Sequence, residues 1–345
     1  MAMKVQNVFV AGVGTYLPDR ITTEEAVKRG WYDEANRTHS DLHSIAVAAD
    51  MPAPDMAFQA ASEAMKRSAH RPEDVAALMH CPVHYQGPDT WSAPHYILHE
   101  TLGGRGVPAL EIHHGCNGML SGLRLAAAQL MADPESTAVL LTAADNFSTP
   151  VVDRWRISSH YVLADGASAA LLSTRGGFAE LLAVGSASNP AAEVLHRGGE
   201  PLFPPSITTG QRVDLEARSR YWAEQWANGV TPPVFHLGDL VTETVDRVLD
   251  EAGVTMAGIA RVAHSGVALD QLQNGIFDPL GITAEQTVWD FSRTVGHCGA
   301  SDQILALDHL VTTGAVGPGD HVLLLAVGVG IEVGCAVVKI IEEHR

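Results

Sequence analysis

The chain is built twice from the same order of elements, and that repetition restricts its fold more than any other feature. In the first half an amphipathic helix is expected over 55–68 and a strand over 75–83. A buried apolar helix over 119–131, a strand over 138–143 and a Gly/Ala-rich strand over 166–173 follow. In the second half the matching pieces fall at 239–252, 259–267, 300–311, 321–327 and 334–341. The segments agree in detail: EDVAALMHCPV answers AGIARVAHSGV, TAVLLTAAD answers DHVLLLAVG, and GASAALLS answers GCAVVKI. This is a duplicated α/β unit rather than a short-period repeat. Strands alternating with buried helices imply mixed sheets covered by helices on both faces. The expected halves are 1–176 and 177–345. The second carries an insertion over about 186–236, rich in Pro, Trp and Arg, that reads as a cap.

A chain of 345 residues that is 46% hydrophobic and 18% charged has material for a large core and is not disordered. No run of about 18 apolar residues suggests a membrane span. The net charge of -18 excludes broad nucleic-acid binding, and it obliges an acidic carrier-protein partner to dock on a local basic patch. The opening MAMKVQNVFVAGVG enters a strand pattern without the layout of a signal peptide. Cys81, Cys116, Cys298 and Cys335 lack metal or disulfide spacing, so a reducing cytoplasm is the expected setting.

Cys116 is the chemically pointed residue. The strand-like 109–112 ends just before it, and the apolar helix expected over 119–131 begins just after it. At a helix N-terminus the dipole favours a thiolate. Gly115 and Gly118 on either side permit a sharp turn and close approach of a substrate. A buried structural cysteine is the plain alternative. The duplication argues against it. His297 opens the helix that matches the one after Cys116, and His264 ends the strand that matches 75–83. A pseudo-twofold axis would bring all three to the side of the sheets where ligands collect.

At this point the chain resembles the β-ketoacyl-acyl-carrier-protein synthase III family of the thiolase superfamily over nearly its whole length. The resemblance is carried by Gly12-Val13-Gly14-Thr15-Tyr16-Leu17-Pro18, the Cys116 turn, Ala164-Asp165-Gly166-Ala167-Ser168-Ala169, His264, Gly296-His297 and Val327-Gly328-Val329-Gly330. It implies a thiolase fold, duplicated α/β halves in a five-layered αβαβα arrangement, acting as a homodimer. It also implies an acyl-accepting Cys116 and an oxyanion hole made by the amides of Cys116 and Val329, with Gly328 and Gly330 leaving the second amide approachable. In the family a His-Asn pair drives decarboxylative condensation. Here His297 occupies the Asn slot, which makes it a candidate general base. Asp302, five residues on, is a candidate orienter of its imidazole; the alternative is an exposed acid at a helix start. The trio Cys116, His297 and Asp302 suits simple acyl transfer. That pattern is similar to the synthase-III-like acyltransferases of antibiotic pathways. The expected donor is an acyl-carrier-protein or coenzyme A thioester, and the expected acceptor is a hydroxyl or a carrier-protein thiol, with no cofactor. A decarboxylating synthase and a catalytically silent partner subunit are the rival readings.

The remaining candidates carry open alternatives. His264 is catalytic, structural or a second donor to the thioester oxygen. His113 and His114 stand where the family has small residues, and one of them is a candidate to face the pocket. By resemblance, Trp91 crosses the dimer interface to close the neighbour's acyl pocket; otherwise it is an ordinary buried Trp. Trp31 resembles a residue that stacks on the coenzyme A adenine. The family's flanking Arg-Thr-Gly-Ile-Arg run is absent, however, and the region reads Ser44-Ile45-Ala46-Val47-Ala48. His95 and His99, and likewise His80 and His84, have zinc-pair spacing without an evident third ligand, so no metal is expected. Arg212, Arg218, Arg220, Tyr221, Trp222 and Trp226 form either a solvated helix face or a cap over the acceptor.

Overall fold

A computed structural model describes residues 1–204, 208–231 and 236–344. Twelve strands are found among them: β1 Ala2–Lys4, β2 Phe9–Tyr16, β3 Arg20–Thr22, β4 Ser44–Ala46, β5 Val75–His80, β6 Ala109–Glu111, β7 Ala138–Asp145, β8 Gly166–Ser173, β9 Ala179–Ser188, β10 Ile259–Ala263, β11 His321–Gly328 and β12 Glu332–Ile340. β3 and β4 form a small ribbon. The other ten make one sheet in the order β10-β11-β12-β9-β2-β8-β7-β5-β6, with β1 added antiparallel to β9. The order is mirrored about the β2/β9 joint. One wing runs through antiparallel β2, β8 and β7 to parallel β5. The other runs through antiparallel β9, β12 and β11 to parallel β10. Phe9 and Val10 pair with Glu180 and Ala179 and join the wings edge to edge.

Both faces of each wing are buried, because apolar residues occupy odd and even positions alike. In the first wing Leu78, Leu140 and Leu171 pack under Ala57, Ala60 and Ala64 of the outer helix Ala53–Arg67. Their neighbours Met79, Leu141 and Leu172 face inward. In the second wing Leu323, Leu325 and Val337 meet Val241, Val245 and Val248 of the outer helix Leu237–Ala252, while Val322, Leu324 and Val338 face inward. Between the wings lie helices Gly118–Ala132 and Asp302–Thr312, whose Leu123, Ala127, Ile304 and Leu307 share the inner core. The layers are therefore helix, sheet, helix pair, sheet, helix. No helix among the described residues is long and apolar enough to cross a membrane.

The expected insertion begins later than 186, because β9 continues to Ser188. Its described parts include the short helix Glu193–Arg197 and the helix Leu215–Ala227; 205–207 and 232–235 lie outside the described residues. Trp222 donates to the Val194 carbonyl at 2.9 Å, and Arg218 donates to the His196 carbonyl at 2.6 Å. These contacts pin the two helices together. Val213 and Leu215 close over Phe147, Ile157 and Leu163. The segment is thus partly a cap, while Trp226 on the same helix is exposed.

Candidate active site

Cys116 sits in the tight turn Gly115–Asn117, which feeds directly into the helix starting at Gly118. Gly115 makes this turn with φ of 51°, where L side chains are strained, and a Cβ there would lie 2.9 Å from Val329 Cγ2. The turn holds Cys116 Sγ 3.0 Å from His297 Nε2.

His297 is fixed through its backbone. Its N–H donates to the Val162 carbonyl at 3.1 Å, and its carbonyl accepts from Ala164 N–H at 2.8 Å. Its Nδ1 lies 2.6 Å from Asp302 Oδ2. Asp302 is the first residue of its helix, and it also accepts from Gly266 N–H at 3.0 Å and Cys298 N–H at 2.8 Å. Its side chain is 4% exposed, so the alternative of a solvated helix-start acid is wrong. A carboxylate holding two backbone amides cannot donate, so the imidazole must present Nδ1–H to it and turn Nε2 to the sulfur. Burial alone would push His297 down. The adjoining charges of Cys116 and Asp302, with their hydrogen bonds, outweigh it and lift His297 well above the ordinary histidine value. The arrangement can therefore sustain a thiolate–imidazolium pair and can take up or return a proton at Nε2.

The amides of Cys116 and Val329 donate to no group among the described residues. They lie on the two turns that meet at Gly115. Asn117 ties those turns together, a role that no local pattern in the chain announces. Its Nδ2 donates to the Glu332 carbonyl at 2.8 Å. The fit is close enough that a Cβ on Gly328 would lie 2.7 Å from that nitrogen. Gly330, at φ of 139°, completes the turn beyond Val329.

The other candidates are placed unevenly. His264 is buried, with Nδ1 2.8 Å from the Ser265 carbonyl and Nε2 3.2 Å from Thr287 Oγ1. Burial pushes it down to about 4, so it is neutral, and neither ring nitrogen is left over for a thioester oxygen. No hydrogen bond joins it to Cys116; its stretch of chain meets the triad where Gly266, two residues on, donates to Asp302. His114 lies 2.6 Å from Ser121 Oγ and 3.4 Å from Glu332 Oε2, braced between the nucleophile helix and β12. His113 is exposed and, with Trp91, Tyr85 and Gln86, lines an open hollow of about 500 Å³. Trp91 is 43% exposed, which is not the alternative of an ordinary buried Trp. Trp31 borders a second hollow with Arg156 and Arg212, and the Arg29 guanidinium lies 4.7 Å over its ring. His80 bonds to Thr142 and Gln86, and His84 to Thr149.

Residues 110–190 match the family described as 3-oxoacyl-[acyl-carrier-protein] synthase III, and residues 249–340 match its C-terminal part. A solved structure, the acyltransferase ChlB3, is 42% identical, covers 98% of each chain and superposes with a TM-score of 0.92. The chain belongs to the synthase III family of the thiolase superfamily. It is an enzyme that transfers acyl groups. Beta-ketoacyl-[acyl-carrier-protein] synthase III 3 of Streptomyces coelicolor is 28% identical, covering 95% of both chains. The mycobacterial counterpart from Mycobacterium tuberculosis is 25% identical over 97% of this chain and 96% of its own. The synthase III of Aquifex aeolicus, 21% identical with a TM-score of 0.77 over 96% of this chain and 99% of its own, shares the fold.

Proposed function

We propose that this enzyme moves an acyl or aroyl group from a carrier-protein or coenzyme A thioester to a hydroxyl or a carrier-protein thiol, through an acyl-Cys116 intermediate. The observation that carries the reading is His297, bonded at once to Cys116 and to Asp302 in the slot where the family's condensing pair has Asn. The Cys116 thiolate attacks the donor carbonyl, and the donor leaves as a thiol with the proton from His297 Nε2. The acceptor then yields its proton to Nε2 as its oxygen or sulfur bonds the carbonyl carbon. The Cys116 sulfur leaves as thiolate beside the new imidazolium. The unpartnered amides of Cys116 and Val329 are suited to hold the tetrahedral oxyanion.

The reading places the reaction in secondary metabolism of the antibiotic type and in the cytoplasm; the likeness to the acyltransferase ChlB3 supports its reaction class. The reading includes two halves, 1–176 and 177–345, the break falling between β8 and β9. It also includes a homodimer, supported by exposed Trp91, Tyr85 and Leu110 near the unpaired edge strand β6. The test is intact-protein mass spectrometry after incubation with a panel of acyl thioesters. The wild type should gain one acyl mass, and Cys116→Ala should gain none. A full acyl shift in that variant would sink the reading.

A further inference from the structure

Tyr161 stands beside the base without a role in the steps above. Its ring meets the His297 imidazole edge-on, with centroids 5.4 Å apart. The strand of chain that carries it is tied down along its length. Ser159 N–H donates to Glu216 Oε1 at 2.8 Å, and the His160 carbonyl accepts from Ala268 N–H at 2.8 Å. Val162 and Ala164 bond to the His297 backbone on either side of Leu163. A ring held this way cannot drift relative to the imidazole. Its apolar faces are used, packed with Phe147, Ile157 and Leu163.

The hydroxyl is the part left over. It has no hydrogen-bond partner among the described residues, and Tyr161 as a whole is only partly buried. The charges it feels are those of Cys116 and of Arg218 and Glu216 of the cap. Burial is the largest influence on it and pushes its ionisation up, so it stays a neutral donor. A preorganised, unpartnered donor inside a protein calls for a ligand atom.

Which atom follows from His297. In the acyl-enzyme the acceptor's nucleophile must lie within reach of Nε2, so a group on the flank of that ring borders the acceptor's seat and not the far end of the acyl group. We propose that the Tyr161 hydroxyl is the positioning residue for the acceptor. It donates to a lone pair of the acceptor's nucleophilic oxygen or sulfur, so that the acceptor's own proton points at His297 Nε2. This rests on the acyl-Cys116 reading above.

Tyr161→Phe keeps the ring and removes only the hydroxyl. Both proteins are loaded with benzoyl-N-acetylcysteamine, and loss of the acyl mass is followed with water alone, with pantetheine and with its oxygen analogue, oxypantetheine. Alkylation of Cys116 by iodoacetamide, which seats no acceptor and no leaving thiol, should match the wild type. Discharge to either acceptor should slow roughly 2- to 10-fold, the value of one neutral hydrogen bond, mostly as a raised KM and more for the oxygen acceptor. Wild-type discharge rates in the variant would overturn the proposal. So would an equal fall in Cys116 alkylation, which would mark a structural role. A wild type that loads but is discharged no faster by either acceptor than by water would refute the acceptor seat. A wild type that never loads would instead reject the acyl-enzyme reading itself.

Discussion

Asp302→Asn is the substitution that separates a triad from a histidine that merely touches sulfur. The carboxylate serves three donors: His297 Nδ1 at 2.6 Å and Gly266 N at 3.0 Å on Oδ2, and Cys298 N at 2.8 Å on Oδ1. An amide of the same shape has one oxygen for two positions. With the oxygen toward His297, the NH2 faces the Cys298 amide, donor to donor. With the oxygen toward Cys298, the NH2 faces Nδ1, and the imidazole must move its proton to Nε2, where it can no longer accept. Losing a charged hydrogen bond of this kind costs about 1.5–3 kcal/mol, or roughly 10- to 150-fold in rate. If the wrong tautomer dominates, the loss reaches about 10⁴-fold, as for the buried aspartate of the serine-protease triad. Single-turnover mass spectrometry should show both loading and discharge slowed while the protein remains folded. The pH profile carries a second signature. Without Asp302's charge one of the two influences holding His297 high is gone, so the imidazolium loses its proton at lower pH. The alkaline limb of the loading rate should therefore move to lower pH. A variant within about threefold of wild type, too little for a lost charged hydrogen bond, with an unmoved alkaline limb would refute the triad.

His297→Ala should still take up acyl, more slowly, but should discharge it to the acceptor about 10² to 10⁴-fold more slowly, measured as persistence of the acylated mass. Asn117→Ala removes the clasp between the nucleophile turn and the turn that bears Val329, and should slow loading roughly 2- to 10-fold with little change in KM. Malonyl thioesters should give no β-ketoacyl product at a rate comparable to acyl transfer; detecting one by product mass would promote the condensing synthase instead.

The elements that the sequence made legible are those whose pattern is local. β8 falls on 166–173 as expected, and β7 covers all of 138–143 and two residues more. β10 stops at Ala263, short of 267, because the chain bends there and Gly266 turns its amide to Asp302. The helix expected from 300 starts at Asp302, because residues 299–301 form a tight turn. The nearness of Cys116 and His297, 181 positions apart, followed from the repetition. The burial of Asp302 did not, since nothing in its neighbours in sequence announces the Gly266 amide that meets it. Tyr161 was equally invisible: it reaches His297 only because Leu163 bridges to it across the fold. The join of the wings at β2 and β9 escaped for the same reason, resting on two residue pairs rather than on a periodic pattern.

Cys116 and His297 come from opposite wings, and their starting turns cross where Gly118 faces Ala300. A Cβ on Gly118 would lie 3.0 Å from Cys81 Cβ and 3.3 Å from Ala300 Cβ. Two nearly bare positions thus act as the ruler for the distance between sulfur and imidazole. They touch no substrate, yet the effective concentration of base at nucleophile depends on their smallness. One methyl group added where nothing reacts would be felt at the sulfur.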